Sequence, residues 1–276
     1  MTIPLTALYV PGDREDRVAK ALASQADIVI VDLEDAVAPR RKDDARSVLA
    51  VLSRPRSQRV QVRVNVEGSP WHAADVAAVA GLEHEVGIRL PKVESAATVA
   101  AVAERAPDRE VHALIESALG VEHAFAIAAA GAATLALGEA DLRSQLGLPS
   151  GEAGEPGLLW SRSRLVTAAA AAGLPAPMMS VYADVSDLEG LAASCARGRA
   201  LGFVGRTAIH PRQLPVIERA FIPSTDEVAR AQEIVSRVGS ALEDDNGTVV
   251  LEDGTFLDVA MVQAARRTLQ LAERAS

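Results

Sequence analysis

Eight short runs of β-branched and aliphatic residues recur along the chain, each ending on polar residues and each followed by an Ala/Leu-rich stretch of helical periodicity. The runs are Ala7 to Val10, Asp27 to Leu33, Arg59 to Asn65, Glu85 to Lys92, Val111 to Glu116, Thr134 to Gly138, Pro177 to Tyr182 and Gly202 to Ile209. Helices are expected over Arg14 to Ala23, Lys42 to Leu52, Trp71 to Ala80, Ala96 to Ala106, Val121 to Ala130, Leu158 to Ala172, Asp187 to Ala200 and Arg212 to Ala220. Eight such units in 276 residues predict a parallel sheet closed into a (β/α)8 TIM barrel, which typically takes about 250 residues. An open doubly wound sheet is the alternative. Against it, no βα turn, beginning with Val10-Pro11-Gly12-Asp13, carries the glycine-rich dinucleotide fingerprint.

After the eighth unit come a helical segment from Thr225 to Leu242 and the polar turns Asp245-Asn246-Gly247 and Glu252-Asp253-Gly254, which flank Thr248 to Leu251. A last helix runs from Val259 to Ala272. The chain therefore divides into a barrel, 1–222, and a C-terminal helical and hairpin appendage, 223–276, expected to pack on the barrel or on a neighbour. The segment Gly147 to Gly157, with four glycines and two prolines, is the expected mobile loop.

Charge excludes some partners. With 28 Lys+Arg against 37 Asp+Glu the net charge is −9, which disfavours nucleic acid or an anionic membrane, and 3% aromatic residues offer no stacking platform for bases. Cys195 is the single cysteine, so no intrachain disulfide or thiolate metal cluster can form, and a metal would be held by oxygen or imidazole. The apolar stretch around Ala126 to Ala136 is broken by Gly131 and too short to span a bilayer. The N-terminus lacks the features of a signal peptide, and a cytoplasmic protein is expected.

In such a barrel the site lies where strands end. The residues there are Asp32, Glu34 and Asp35 after the second run, Arg63 and Asn65 on the third, Lys92 after the fourth, Glu116 ending the fifth, and Glu139 and Asp141 after the sixth. Glu116 and Asp141 lie one βα unit apart, so both carboxylates should reach one opening. Two such charges repel unless a cation lies between them, and hard oxygen donors favour Mg²⁺. Two protein ligands leave coordination positions for a chelating 2-oxo acid. The plainer reading of each carboxylate is a helix cap or a lysine partner. Arg63, inside the apolar run Val60 to Asn65, is either a substrate clamp or the partner of Glu34 or Asp35. Backbone N–H groups of Gly138, Glu139, Ala140 and Asp141 could approach a small carboxylate, with Gly138 allowing close contact. Lys92 reads mainly as a support for the acidic cluster. His210 precedes Pro211 and suits either a base or a turn that starts the next helix.

Several motifs in order carry a resemblance over nearly the whole chain: Leu8-Tyr9-Val10-Pro11-Gly12, Val31-Asp32-Leu33-Glu34-Asp35-Ala36-Val37 with Lys42 and Ala45-Arg46, Val62-Arg63-Val64-Asn65, Leu90-Pro91-Lys92-Val93-Glu94-Ser95, Leu114-Ile115-Glu116-Ser117, Gly138-Glu139-Ala140-Asp141-Leu142, Gly202-Phe203 and Ile209-His210-Pro211. The sequence resembles the citrate lyase β-subunit-like branch of the HpcH/HpaI aldolase superfamily. The resemblance implies a (β/α)8 barrel, a homotrimer, and a magnesium-dependent lyase that cleaves or forms a C–C bond in a 3-hydroxyacyl thioester. Citryl, malyl or citramalyl groups on CoA or an acyl-carrier protein would yield oxaloacetate, glyoxylate or pyruvate plus an acyl thioester. It implies Glu116 and Asp141 as Mg²⁺ ligands, Arg63 as the substrate-binding arginine, and Glu34 and Asp35 as acids that orient metal-bound waters. Asp253-Gly254-Thr255-Phe256-Leu257-Asp258 resembles the motif whose second aspartate enters a neighbouring subunit's site, making Asp258 a candidate acid/base. Arg14, Arg17 and Lys20 match basic positions near the carrier's phosphates, with a solvated helix face as the plainer reading. Two other readings stand beside this one: a metal-dependent aldolase of free hydroxy-oxo acids, and a lyase subunit inactive without a partner acyl-carrier protein.

Overall fold

The computed structural model describes residues 3–53, 58–82, 85–243, 248–250 and 256–275. Seven parallel strands form one sheet: β1 (Thr6–Pro11), β2 (Ile28–Asp32), β3 (Arg59–Arg63), β4 (Gly87–Leu90), β5 (Val111–Ile115), β6 (Thr134–Leu137) and β7 (Arg206–Ala208). Their spatial order is β6-β5-β4-β3-β2-β1-β7. The predicted seventh run, Pro177 to Tyr182, is corrected: it is not a ladder strand but makes single parallel bridges, Met178 to Ala136 on β6 and Met179 to Arg206 on β7. Those bridges close the ring. Pro177, the first residue of the run, lacks the N–H that a ladder needs, and toward β7 the stave pairs where Val204 donates to Pro177 O, Met179 donates to Gly205 O and Thr207 donates to Met179 O.

Period-2 alternation sorts each strand. On β3, Val60 and Val62 are fully or nearly buried, while Gln61 and Arg63 take the other face. Gln61 accepts a hydrogen bond from Arg89 Nε at 2.9 Å, and His112 Nδ1 lies 2.9 Å from Thr134 Oγ1, so the inward faces carry a polar layer. Ala7, Ile28 and Ile30, with Tyr9 and Met178 packed on them, form an apolar cluster beside it. Burial holds the His112 imidazole neutral, pushed down to about 3. The imidazole is therefore a packing group.

Several helices begin on side-chain caps that the sequence spells out: Ser95 accepts from Thr98 N, Ser117 from Gly120 N and Asp187 from Gly190 N. His210 caps the turn Pro211–Gln213, its ring accepting from Arg212 N, which is the turn role rather than a base. The predicted helix Val121 to Ala130 is two short helices, Ala118–Glu122 and Ala124–Ala129. A helix not expected from the sequence, Glu139–Gln145, starts one residue after Gly138. The segment read as a mobile loop holds a 3-10 turn, Gly151–Gly154, and Arg143 Nη1 donates to Pro149 O at 2.9 Å.

The chain divides into two compact units, Pro4–Ile217 and Glu218–Ser276, the second including the extreme N-terminus. In the second unit, helices Thr225–Glu243 and Val259–Ala272 share a core of Ala231, Ile234, Val238, Val262 and Ala265. An antiparallel hairpin joins them, with Thr248 opposite Asp258 and Val250 opposite Phe256. The turns Asp245 to Gly247 and Glu252 to Gly254, together with Leu251 and Thr255, lie outside the described residues. Among the described residues no helix is long and apolar enough to cross a membrane.

Candidate active site

Register explains the rim. Asp32 and Arg63 are partners in the β2–β3 ladder, so the carboxylate meets the guanidinium without either chain bending. Arg63 Nε and Nη2 donate to the two Asp32 oxygens at 2.8 and 2.6 Å. Asp32 also accepts the N–H groups of Glu34 (2.8 Å) and Ala36 (3.1 Å), which folds the turn after β2 over its own strand end. Lys42 Nζ, itself buried, binds the carbonyls of Leu33 and Glu34 from behind at 2.8 and 2.7 Å. The sequence placed Asp32 in the acidic cluster without giving it a role. It is the main partner of Arg63, ahead of Glu34 and Asp35, whose carboxylates lie 3.0 and 3.7 Å from Nη1. The Tyr9 ring stacks beneath Arg63, with 5.0 Å between the guanidinium carbon and the ring centre. Burial works against the Arg63 charge, but the Asp32 hydrogen bonds outweigh it and hold the guanidinium above its ordinary pKa.

Lys92, just after β4, has φ +51°, the one positive value for a non-glycine among the described residues. A left-handed lysine is strained by about 1 kcal/mol or more, a cost that surrounding contacts must offset. The conformation turns its N–H onto Glu116 Oε2 at 2.9 Å. Its ammonium meanwhile lies 3.0 Å from Glu34, 3.7 Å from Asp35 and 3.6 Å from Asp141. Burial opposes that charge too, but the Glu34 hydrogen bond and neighbouring acids raise it above the usual lysine value. This is the supporting placement expected from the sequence.

Glu116 follows β5, whose last pair in register is Ile115 with Leu137 on β6, so Glu116 faces Gly138. A Cβ at Gly138 would overlap Glu116 Oε1 and Cγ, which is why glycine stands there. Burial first, then the Glu34 charge, push Glu116 up to about 7, while the Lys92 N–H and Arg63 pull it down. Glu34 is likewise raised by burial against the pull of Arg63. Its Oε2 is buried without a hydrogen-bond partner, because Arg63 Nη1 is close but not aligned.

Asp141 sits in the first turn of helix Glu139–Gln145 rather than at the strand end. The N–H groups of Ala140 and Asp141 precede the helix's first internal bond, Leu142 N to Gly138 O, and are free in the way first-turn donors are. Glu139 needs correction as a substrate contact. Its carboxylate is held by Arg162 Nε and Nη2 at 2.7 and 2.6 Å, and its N–H donates to Ser180 Oγ at 3.3 Å. The sequence reading missed Arg162. The signal was present, since Arg162 falls on the buried stripe of Leu158, Ser161 and Leu165 in helix Glu155–Ala171.

At the rim, the carboxylates of Asp32, Glu34, Asp35, Glu116 and Asp141 face the cations Arg63, Lys92 and Lys42, which leaves a formal excess of two negative charges. A hard divalent cation matches that excess and the all-oxygen donor set. Among the described residues no three His, Cys, Asp or Glu side chains gather as a metal set, so a cation would rest on a pair of carboxylates with positions open. Arg14, Arg17 and Lys20 are solvent-exposed at the start of and along helix Glu15–Leu22, and Arg14 lies 3.5 Å from Asp16. Of Asp258, the structure describes the backbone pairing with Thr248.

The sequence model described as HpcH/HpaI aldolase/citrate lyase matches residues 5–211, and one described as a C–C bond lyase of the TIM-barrel fold matches residues 164–265. A (3S)-malyl-CoA thioesterase of Cereibacter sphaeroides is 38% identical over 97% of this chain and 94% of its own. An L-malyl-CoA/β-methylmalyl-CoA lyase of Rhodobacter capsulatus is 32% identical over 97% of this chain and 94% of its own. Among solved structures, protein CitE from Mycobacterium tuberculosis in complex with magnesium, acetoacetate and coenzyme A superposes with a TM-score of 0.84 at 34% identity, covering 98% of both chains. With a matched region that begins just before the first barrel strand and ends in the turn after the last, the chain belongs to the HpcH/HpaI aldolase/citrate lyase family.

Proposed function

We propose that this chain is a magnesium-dependent carbon–carbon lyase. Its substrate is a 3-hydroxyacyl thioester of citryl, malyl or citramalyl type, on CoA or an acyl-carrier protein, and its products are a 2-oxo acid and an acyl thioester. One observation carries the reading: Glu116 and Asp141 flank Lys92 at the rim, in a cluster with two more negative than positive charges and an unbonded Glu34 oxygen. The relative holding magnesium, a 3-oxo acid and coenzyme A, and the relative named a malyl-CoA lyase, support it.

Glu116 and Asp141 would hold Mg²⁺, which when bound supplies Lewis-acid polarisation of the oxo-acid half. In cleavage a base takes the 3-hydroxyl proton as the C–C bond breaks. The electron pair passes into the thioester enolate, whose carbon then takes a proton. Arg63 holds fixed positive charge beside the developing oxo-acid carbonyl, the Ala140 and Asp141 amides receive its carboxylate, and Glu34 and Asp35 orient the polar groups between. Asp258, from the appendage 223–276 of a neighbouring subunit in a homotrimer, delivers the carbon-bound proton. Arg14, Arg17 and Lys20 face the carrier's phosphates.

The relative named a thioesterase favours a second reading, hydrolysis of the same class of ester. Product analysis separates the two. Purified chain with malyl-, citramalyl- or citryl-CoA and Mg²⁺ should yield an oxo acid without free thiol, whereas a thioesterase releases free CoA thiol and the intact hydroxy acid. Turnover on CoA esters by the chain alone would also dispense with a partner carrier protein. Asp258→Asn should lower thioester cleavage about 10²-fold, the usual scale for a general acid/base; an aldolase of free hydroxy-oxo acids would lose little. Gly138→Ala should push Glu116 aside and lower kcat/KM, by about 10²-fold for a shift near 1 Å, with an unchanged far-UV circular dichroism spectrum.

A further inference from the structure

Behind the rim lies a chain of ion pairs that the mechanism does not use. Arg162 is buried on helix Glu155–Ala171, and its fork grips Glu139, the first residue of the helix that carries Asp141. Its third nitrogen, Nη1, donates to Glu155 Oε2 at 2.8 Å. Glu155 Oε1 in turn accepts from Arg143 Nη2 at 2.7 Å, and Arg143 lies near the far end of the Asp141 helix. Helix Glu139–Gln145 is thus held at both ends by helix Glu155–Ala171.

Such pairs are poor sources of net stability, because desolvating two ions costs about as much as their attraction returns. What a two-bond fork supplies is orientation: it fixes the plane of the Glu139 carboxylate and so the start of the helix. Asp141 needs that. Its side chain is half exposed, at 47%, and its named ion-pair contact is Lys92 at 3.6 Å, so its aim comes from the backbone turn beneath it.

We infer that Arg162 is a positioning residue that sets the turn carrying Asp141 by holding Glu139. This inference rests on Asp141 being a cation ligand, as proposed above. The test is Mn²⁺ binding, read from the free-ion electron paramagnetic resonance signal, with thermal unfolding run in parallel. Arg162→Met leaves the Glu139 carboxylate buried without its partner and could unfold, so the deciding variant is the neutral pair Arg162→Met with Glu139→Leu. Similar-volume apolar replacement of a buried ion pair is commonly tolerated. The neutral pair should keep a wild-type melting temperature yet raise the Mn²⁺ Kd about tenfold, the lower end of losses seen when groups behind a ligand are removed. Arg162→Lys, a point charge without the fork, should fall between. Asp141→Ala is the control and should abolish specific binding. If Asp141→Ala binds Mn²⁺ like wild type, the ligand assignment fails and this inference with it. If Asp141→Ala loses binding while the folded neutral pair keeps the wild-type Kd, Arg162 is structural only and the inference is overturned.

Discussion

Glu116→Gln is expected to lower lyase turnover by about 10³-fold or more and, in the same protein, to raise the stability of the cation-free chain at pH 8. The first effect follows from the proposed role, since losing one of two carboxylates that hold the cation removes several kcal/mol of charge stabilisation. The second follows from burial. Glu116 is 7% exposed, and its carboxyl is pushed from an ordinary 4.5 to about 7. Between those values the unfolded chain has released this proton while the folded chain still holds it, so each rise in pH favours unfolding. The contribution is therefore complete below the ordinary value and lost as pH rises to about 7. At about 1.4 kcal/mol per unit the loss is on the order of 3 kcal/mol. Glutamine keeps an oxygen for the Lys92 N–H and carries no charge to desolvate. Thermal unfolding in chelator from pH 5 to 8 should show wild type losing stability across that window and Glu116→Gln holding level. A variant less stable than wild type at pH 8 would show that the Glu116 charge is already compensated within the protein.

The barrel was legible because its signal is local. Seven of the eight runs alternate or stay apolar over four or more residues, and each gave a strand within a few residues of its expected span. The Pro177 stave was misread because hydropathy does not register a missing donor: the run is apolar at Met178, Met179 and Val181, but it begins on a proline and pairs through single bridges. Helix Glu139–Gln145 was hidden by its role, since residues needed at a strand end read as a loop. At the site, Glu116, Asp141 and Arg63 could be singled out because charges at the ends of apolar strands are conspicuous. Which charge meets which could not. Asp32 and Arg63 are 31 residues apart and meet only through sheet register, and Arg162 finds Glu139 only once two helices are packed. Pairing is a tertiary property, so the sequence showed the charged groups but not the connections between them.

That distinction predicts how the Asp32–Arg63 pair responds to substitution. Asp32→Ala removes the acceptor of four hydrogen bonds at once, leaving the Arg63 guanidinium with the carboxylates of Glu34 and Asp35 at 3.0 and 3.7 Å and unpinning the turn that carries them. Removing one partner of a buried pair costs about 3–5 kcal/mol, which for a protein of this size lowers Tm by about 10 °C. Arg63→Lys acts differently. A lysine can satisfy one Asp32 oxygen but cannot keep two bonds there and still present a third donor toward Glu34 and the substrate. It should therefore cost less stability than Asp32→Ala while lowering kcat/KM by about 10²-fold, the scale of losing one preorganised donor of about 3 kcal/mol. Calorimetry and steady-state kinetics on the two variants read the two roles separately. If Arg63→Lys lowers Tm as far as Asp32→Ala does and leaves kcat/KM unchanged, the guanidinium serves only the ion pair, and the charge beside the oxo acid must come from Lys92.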